Sequence, residues 1–222
     1  MCVNFIPVPK RTFSEFFKTL PPNDDWAGEV WEDYAAPIIV SDERSRKALL
    51  ANFGFLPKKK LPPSKRYNTM NARAETIGIK QSFQDAWHQH QFCLVPMMGF
   101  YEPYYEFGSQ KAERYLISLV NDEPFAVAGI WRSWNEVDGS LTYSFTQITI
   151  NANDHPLMNR MHQPGKEKRG LVIVPESDYD AWLECKDAEI ARTFLQHLPA
   201  ELMRAVPMSL SKPAQPATNS LF

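Results

Sequence analysis

Cysteine at position 2, directly behind Met1, is the residue of this chain best suited to chemistry. Removal of Met1 would leave an α-amine and a thiol on one residue, a 1,2-aminothiol. Their ordinary pKa values, about 7.7 to 8.0 and about 8.5, mean that a modest shift makes either group nucleophilic near neutral pH. Such a pair traps an aldehyde. The amine condenses to an imine, the thiolate adds to the same carbon, and a five-membered thiazolidine closes without metal or cofactor. The same Cys2 with its amine as base would also suit an N-terminal cysteine amidohydrolase attacking a small amide. Other candidates are poorer. His88-Gln89-His90 is half of a metal site with no cluster to complete it, so no metal is expected. Cys93 lies in an apolar run and reads as buried and inert, and Cys185 has no visible catalytic partner.

The elements that must hold such a residue read as a sheet with few helices. Capping patterns at Thr12, Ser82 and Ser177 open short helices over residues 12–20, from 82 through Trp87, and from 177 past Trp182. Residues 37–40, 48–55, 92–97, 115–120, 125–131, 143–150 and 171–174 are rich in Val, Ile and aromatics and read as strands. Asp138-Gly139 marks a hairpin turn between two of them. Helices that do not alternate with strands predict an α+β fold with a curled, mainly antiparallel sheet and a few peripheral helices. Trp87, Trp131, Trp134 and Trp182 read as core rather than as a ligand platform.

The 222 residues suit one domain over 1–210, with a polar, proline-punctuated flexible tail at 211–222. A net charge of −2 shows no basic surplus, so contact with nucleic acid would have to be local. Local basic runs exist at Lys58, Lys59, Lys60, Lys65 and Arg66, and at Lys166, Lys168 and Arg169. Three cysteines argue against a disulfide framework and for a reducing, cytoplasmic setting. No secretion signal or membrane-spanning run is visible, and a soluble monomer is expected.

Four segments, in order, carry a resemblance. They are Met-Cys-Val-Asn-Phe at the start, Phe53-Gly54-Phe55-Leu56-Pro57, Asn71-Ala72-Arg73-Ala74-Glu75-Thr76 and Gly99-Phe100-Tyr101-Glu102. Ala128-Gly129-Ile130-Trp131, residues 146–153 and Met161-His162-Gln163-Pro164 extend it, so that residues 2–185 resemble the SRAP (SOS response-associated peptidase) family. The resemblance implies a barrel-like core and a protein that binds single-stranded DNA at abasic sites. It further implies crosslinking of a mature N-terminal cysteine to the sugar aldehyde, and removal of Met1 by a peptidase-like activity of the protein itself. Carried over, Cys2 is the nucleophile, Asn71 holds the deoxyribose or orients the Cys2 amine, Glu102 is the general acid/base and His162 protonates or positions the sugar oxygen. Arg73 would clamp a phosphate, with Pro37, Lys59 and Lys60 along the DNA path. The chain departs from the family at Val3 and Asn4, where a Gly-Arg is usual, and at Lys58 to Lys60, where tryptophan often follows the proline. These changes trade base stacking for charge, and a diverged binding module with weak crosslinking is the third reading.

Overall fold

The computed structural model describes residues 2–208 apart from 44, 107, 108 and 110; Met1 and the expected tail at 211–222 lie outside the described residues. In chain order the elements are β1 (Asn4–Pro7), α1 (Lys10–Phe17), β2 (Val30–Trp31), β3 (Ala35–Asp42), β4 (Ser45–Phe53), β5 (Asn71–Arg73), α2 (Gln84–His88), β6 (Phe92–Tyr105), β7 (Ala112–Leu119) and β8 (Phe125–Asn135). There follow β9 (Leu141–Asn151), β10 (Arg169–Leu171), β11 (Ile173–Val174), α3 (Tyr179–Glu184), α4 (Ala188–Thr193) and β12 (Met203–Pro207).

Five of these strands close a barrel. β3 pairs with β4 and β6, β6 with β8, β8 with β9, and β9 with β4. The β4–β9 and β5–β9 contacts are parallel and the other pairings antiparallel, as a mainly antiparallel curled sheet requires. Alternation along the strands divides the core in two. Phe5, Ile38, Phe53, Cys93, Val95, Val127 and Phe145 point to one face and form the barrel interior, with the Phe5 and Phe53 rings 5.3 Å apart. Ile39, Leu94, Ala128 and Ile148 point to the other, where Phe13, Phe17, Trp87 and Trp182 from the helices cover them. Trp182 anchors α3 there by donating to the Cys93 carbonyl at 2.9 Å while stacking on Phe92.

β6 is the strand that builds the site. Its first half, 92–97, runs along β8, and its second half, 100–105, runs along β7. The exchange of partners falls at Gly99. A Cβ there would sit 2.7 Å from the Ile117 carbonyl oxygen, so only glycine lets β6 lie this close to β7. The six residues beyond that crossover, Phe100 to Tyr105, carry Glu102 in their midst.

The seven predicted runs all form strands, four with wider bounds, those at 48–55 and 115–120 shifted towards the N-terminus, and that at 171–174 divided between β10 and β11. Strands β1, β2, β5 and β12, of two to five residues, were not anticipated; their short runs carry too little alternation to signal themselves. The three predicted helices form, but without their side-chain caps. α1 begins at Lys10 after Pro9, whose fixed φ suits a helix start, and the Thr12 hydroxyl instead donates back to the Pro9 carbonyl. The first residues of α2 and α3 are likewise uncapped by Ser82 and Ser177. The capping carboxylate belongs to α4, a helix missed in the sequence, where Asp187 accepts from the Glu189 and Ile190 amides. In the β8–β9 hairpin only Gly139 takes positive φ; Asp138 holds the turn by accepting from the Ser140 amide. No helix among the described residues is long and apolar enough to cross a membrane.

Candidate active site

Cys2 is the first described residue, and it is fully buried. The β1–β6 pairing sets Phe5 opposite Phe100, which carries the residues ahead of β1 past Glu102. The Cys2 thiol donates to the Asn4 carbonyl at 3.3 Å. Burial first, and then the negative charge of Glu102, push the thiol well above its ordinary pKa. Cys2 belongs to the interior cluster of the barrel. Behind Met1 the thiol is protonated and a poor nucleophile, so reactivity is tied to what happens at the N-terminus.

Asn71 reaches the same place from β5. Its register beside Gln147 of β9 points the side chain inward, and Nδ2 donates to the Cys2 carbonyl at 2.7 Å. The rest of the Asn-Ala-Arg-x-Glu motif locks β5 down. Arg169, almost wholly buried at the start of β10, grips Glu75 with two parallel hydrogen bonds of 2.8 Å and also bonds Glu167 and the Thr149 carbonyl. Burial alone would raise the Glu75 carboxyl, but its bonds with Arg169 hold it below the usual range. Its contribution to stability is thus complete above pH of about 4.3 and is lost as pH falls through the folded value. Glu75→Gln is expected to cost about 1 kcal/mol at pH 7, the carboxyl being half exposed, and to reduce the fall of stability with pH below about 4.3. Chemical denaturation at several pH values checks this; parallel stability curves for the two proteins would refute it.

Glu102 and His162 complete the group. Glu102 is 2% exposed on the second half of β6. His162 arrives from the other side of the sequence: Met161 makes a bridge to Tyr104, the His162 amide donates to the Pro103 carbonyl at 2.7 Å, and its backbone takes φ +64°. Positive φ in a non-glycine residue is held only where surroundings enforce it. The enforcement comes from Lys168, whose ammonium donates to the carbonyls of Met161, His162 and Gln163. The His162 Nε2 and Glu102 Oε2 atoms are 2.8 Å apart, although the angle is off that of a good hydrogen bond. A carboxyl and an imidazole in contact, screened from water beside a thiol, can exchange protons with a molecule bound between them.

The structure thus brings together Cys2, Asn71, Glu102 and His162. It treats the expected DNA contacts differently. Pro37 is buried inside β3 opposite Leu50. Arg73 is half exposed beside β9 and pairs with Glu167 at 2.9 Å. Lys58 to Lys60 form a single 3-10 turn whose charge is largely answered, Lys58 by Glu32 and Asp33, Lys59 and Lys60 by Glu136. The basic run after His162 is answered too, since Arg169 is buried in its ion pairs.

Several neighbours were not singled out in the sequence. Glu29 accepts from both Asn4 and Arg114, and the Arg114 guanidinium lies over the Tyr101 ring, 3.4 Å from its centroid. Asn4, Tyr101 and Arg114, together with the exposed Trp31 and Val3, line a groove of about 640 Å³ that runs up to Glu102. Tyr101, part of Gly-Phe-Tyr-Glu, and Val3 and Asn4 in the opening segment carried a signal; Glu29, Trp31 and Arg114 are joined to the site by strand pairing across distant segments. His88 and His90 are not part of the group, and the His88 ring contacts the Gly78 carbonyl. Among the described residues no three His, Cys, Asp or Glu side chains are placed to hold a metal ion.

The chain is similar to several known proteins. The abasic site processing protein YobE of Bacillus subtilis is 28% identical over 77% of this chain and 75% of its own length. The abasic site processing protein HMCES of Rattus norvegicus is 29% identical over 53% of this chain and 43% of its own. A crystal structure of a Bordetella bronchiseptica protein superposes with a TM-score of 0.84 at 31% identity, covering 94% of this chain and all of the other. The model of the SOS response associated peptidase family matches residues 9–211, and the chain belongs to that family, SRAP.

Proposed function

We propose that this protein binds single-stranded DNA at abasic sites and, once Met1 is removed, joins Cys2 to the exposed sugar as a thiazolidine. The observation that carries the reading is the convergence of Asn71 on Cys2 at 2.7 Å with the Glu102–His162 contact at 2.8 Å, in a buried pocket beside a groove. The names of the related proteins, abasic site processing proteins, supply the substrate class.

The chemistry follows from the groups. An abasic deoxyribose is mostly a closed hemiacetal; His162 gives a proton to the ring oxygen as the anomeric hydroxyl loses one, and the aldehyde opens. The freed Cys2 amine attacks the aldehyde carbon, and Glu102 moves a proton from nitrogen to the departing hydroxyl, which leaves as water. The thiolate then adds to the imine carbon and nitrogen takes up the remaining proton. Aldehyde and aminothiol have become thiazolidine and one water. Asn71, now facing a free residue 2, orients the amine. The groove beside Glu102 offers Trp31 for stacking and the Tyr101–Arg114 pair for the adjoining nucleotide.

The test is incubation with a single-stranded oligonucleotide carrying one abasic site, read by denaturing gel and intact mass. An adduct of protein lacking Met1 plus oligonucleotide minus one water is expected, and none with intact DNA. Absence of the adduct on processed, folded protein would overturn the reading and turn attention to amide hydrolysis.

Charge along the DNA path is a separate expectation. Lys59→Glu combined with Lys60→Glu should weaken binding of single-stranded DNA and lower the slope of log affinity against log salt by about one to two. Both lysines already face Glu136, so the loss is expected to be modest in low salt. An unaltered slope would place this turn off the strand's path.

A further inference from the structure

Arg132, near the end of β8, is a cation that the proposed reaction does not use. Arg46, Arg73, Arg114, Arg169, Arg192 and Arg204 each bond a carboxylate. Arg132 is half-buried, yet its guanidinium makes neither a hydrogen bond nor an ion pair among the described residues. N–H donors drawn partly out of water without an acceptor cost stability, so their position asks for a reason.

The surroundings fix this group without satisfying it. Its central carbon lies 4.1 Å from the centroid of the Trp134 ring and 5.7 Å from that of Phe55. Trp134 is itself held: its indole donates to the Ser144 hydroxyl at 2.8 Å, and that hydroxyl donates to the Phe55 carbonyl at 2.9 Å. Aromatic rings take the faces of a planar guanidinium and leave its N–H edge for a ligand. Arg132 lines a cavity of about 220 Å³ between β8 and α2, whose other polar walls include Ser82, Asp85, Gln89 and Gln91.

These walls select the ligand. Burial lowers the Arg132 pKa and the charge of Asp85 opposes the shift, but no Asp85 oxygen comes within 4 Å of the guanidinium or occupies its donors. One cation and one carboxylate leave no net charge to hold a phosphate. They suit an uncharged planar group with two adjacent acceptors for the guanidinium and a donor beside them for the carboxylate. Guanine has that outline: O6 and N7 accept, and the N2 amino group donates. Adenine places its amino group beside N7 and would set a donor against the donors of arginine.

We propose that this cavity binds a guanine base, with the Arg132 fork on O6 and N7 and Asp85 accepting from the amino side. The base can belong to a DNA strand or to a free nucleotide. A strand is within reach: the Phe55 amide donates to the carbonyl of Thr69, two residues before Asn71, and Lys60 lies over the same Trp134 ring as Arg132. Supply by a strand rests on the proposed function; the guanine site does not.

Calorimetric titration of the full chain with guanosine 5′-monophosphate tests the site. This nucleotide should bind at least about tenfold more tightly than adenosine 5′-monophosphate, and than its own 7-deaza analogue, which lacks the N7 acceptor. Arg132→Lys keeps the charge but loses the fork and should erase the preference, while Asp85→Ala should weaken guanine and strengthen inorganic phosphate. Equal affinity for the guanine and adenine nucleotides, displacement of the guanine nucleotide by equimolar inorganic phosphate, or a preference that survives Arg132→Lys would overturn the proposal. The parent's own selectivity decides the matter if a variant fails to fold. Abasic oligonucleotides with guanine or only thymine around the lesion separate the two sources. Faster capture of the guanine strand by the parent, lost in Arg132→Lys, assigns the base to the strand; equal capture with the nucleotide still bound assigns it to a free nucleotide. Should the parent capture no DNA, the reading of Cys2 falls, and nucleotide binding still decides the guanine site.

Discussion

Cys2→Ala is expected to abolish covalent capture of abasic DNA, slowing it by at least about a thousandfold, since no other residue can supply an amine and a thiol to one carbon. The experiment needs two accompanying measurements. Intact mass must show that Met1 has been removed from the variant, because an unprocessed chain is silent for a different reason. Melting must show that the fold survives: Cys2 is fully buried in the barrel interior, so trimming its sulfur should lower stability by about 1 kcal/mol rather than leave it untouched. Binding of the oligonucleotide without crosslinking should persist, since the groove at Trp31, Tyr101 and Arg114 is unaltered. A processed, folded Cys2→Ala protein that still forms the adduct would remove residue 2 from the mechanism.

The burial of Cys2 gives that prediction a further consequence. With Met1 in place the α-nitrogen is an amide and the thiol is held protonated by burial and by Glu102. Removing Met1 therefore does more than uncover a sulfur. It creates a basic amine on the same residue as the buried thiol, and a positive charge there favours the thiolate that burial otherwise suppresses. Processing and activation are then one event.

What the sequence made legible followed the length of its signals. The long strands β6, β8 and β9 announced themselves through alternation over 11 to 14 residues, and the mainly antiparallel barrel followed from them. Cys2, Asn71, Glu102 and His162 were each legible because they sit in local motifs. Their meeting was not, because it depends on three long-range events: β1 lying along β6, β5 lying parallel to β9, and the Met161 bridge to Tyr104. The ion pairs of the surface were not legible for a related reason. Lys58 to Lys60 look like a free basic run until strand pairing sets Glu32, Asp33 and Glu136 beside them. Pro37 was read beside a motif, and its extended apolar segment is a barrel stave.

Glu102→Gln is expected to slow crosslinking about a hundredfold while leaving DNA affinity and melting temperature close to those of the parent. The amide keeps the shape of the side chain and its place 2.8 Å from His162, but it can neither take a proton from the Cys2 amine nor pass one to the departing hydroxyl. A reduced rate alone would also follow from a disturbed pocket, so the decisive variant is Glu102→Ala. Trimming a buried carboxylate there leaves space of about the size of formate, and the neighbouring His162 is unchanged. Added formate should restore the crosslinking rate of Glu102→Ala in proportion to its concentration and do nothing for Cys2→Ala. A pocket that had merely lost its geometry would not recover on meeting a small carboxylate, whereas one that had lost its proton carrier would. Rescue that fails at every concentration, with DNA binding intact, would mean that proton transfer at this site runs through His162 alone.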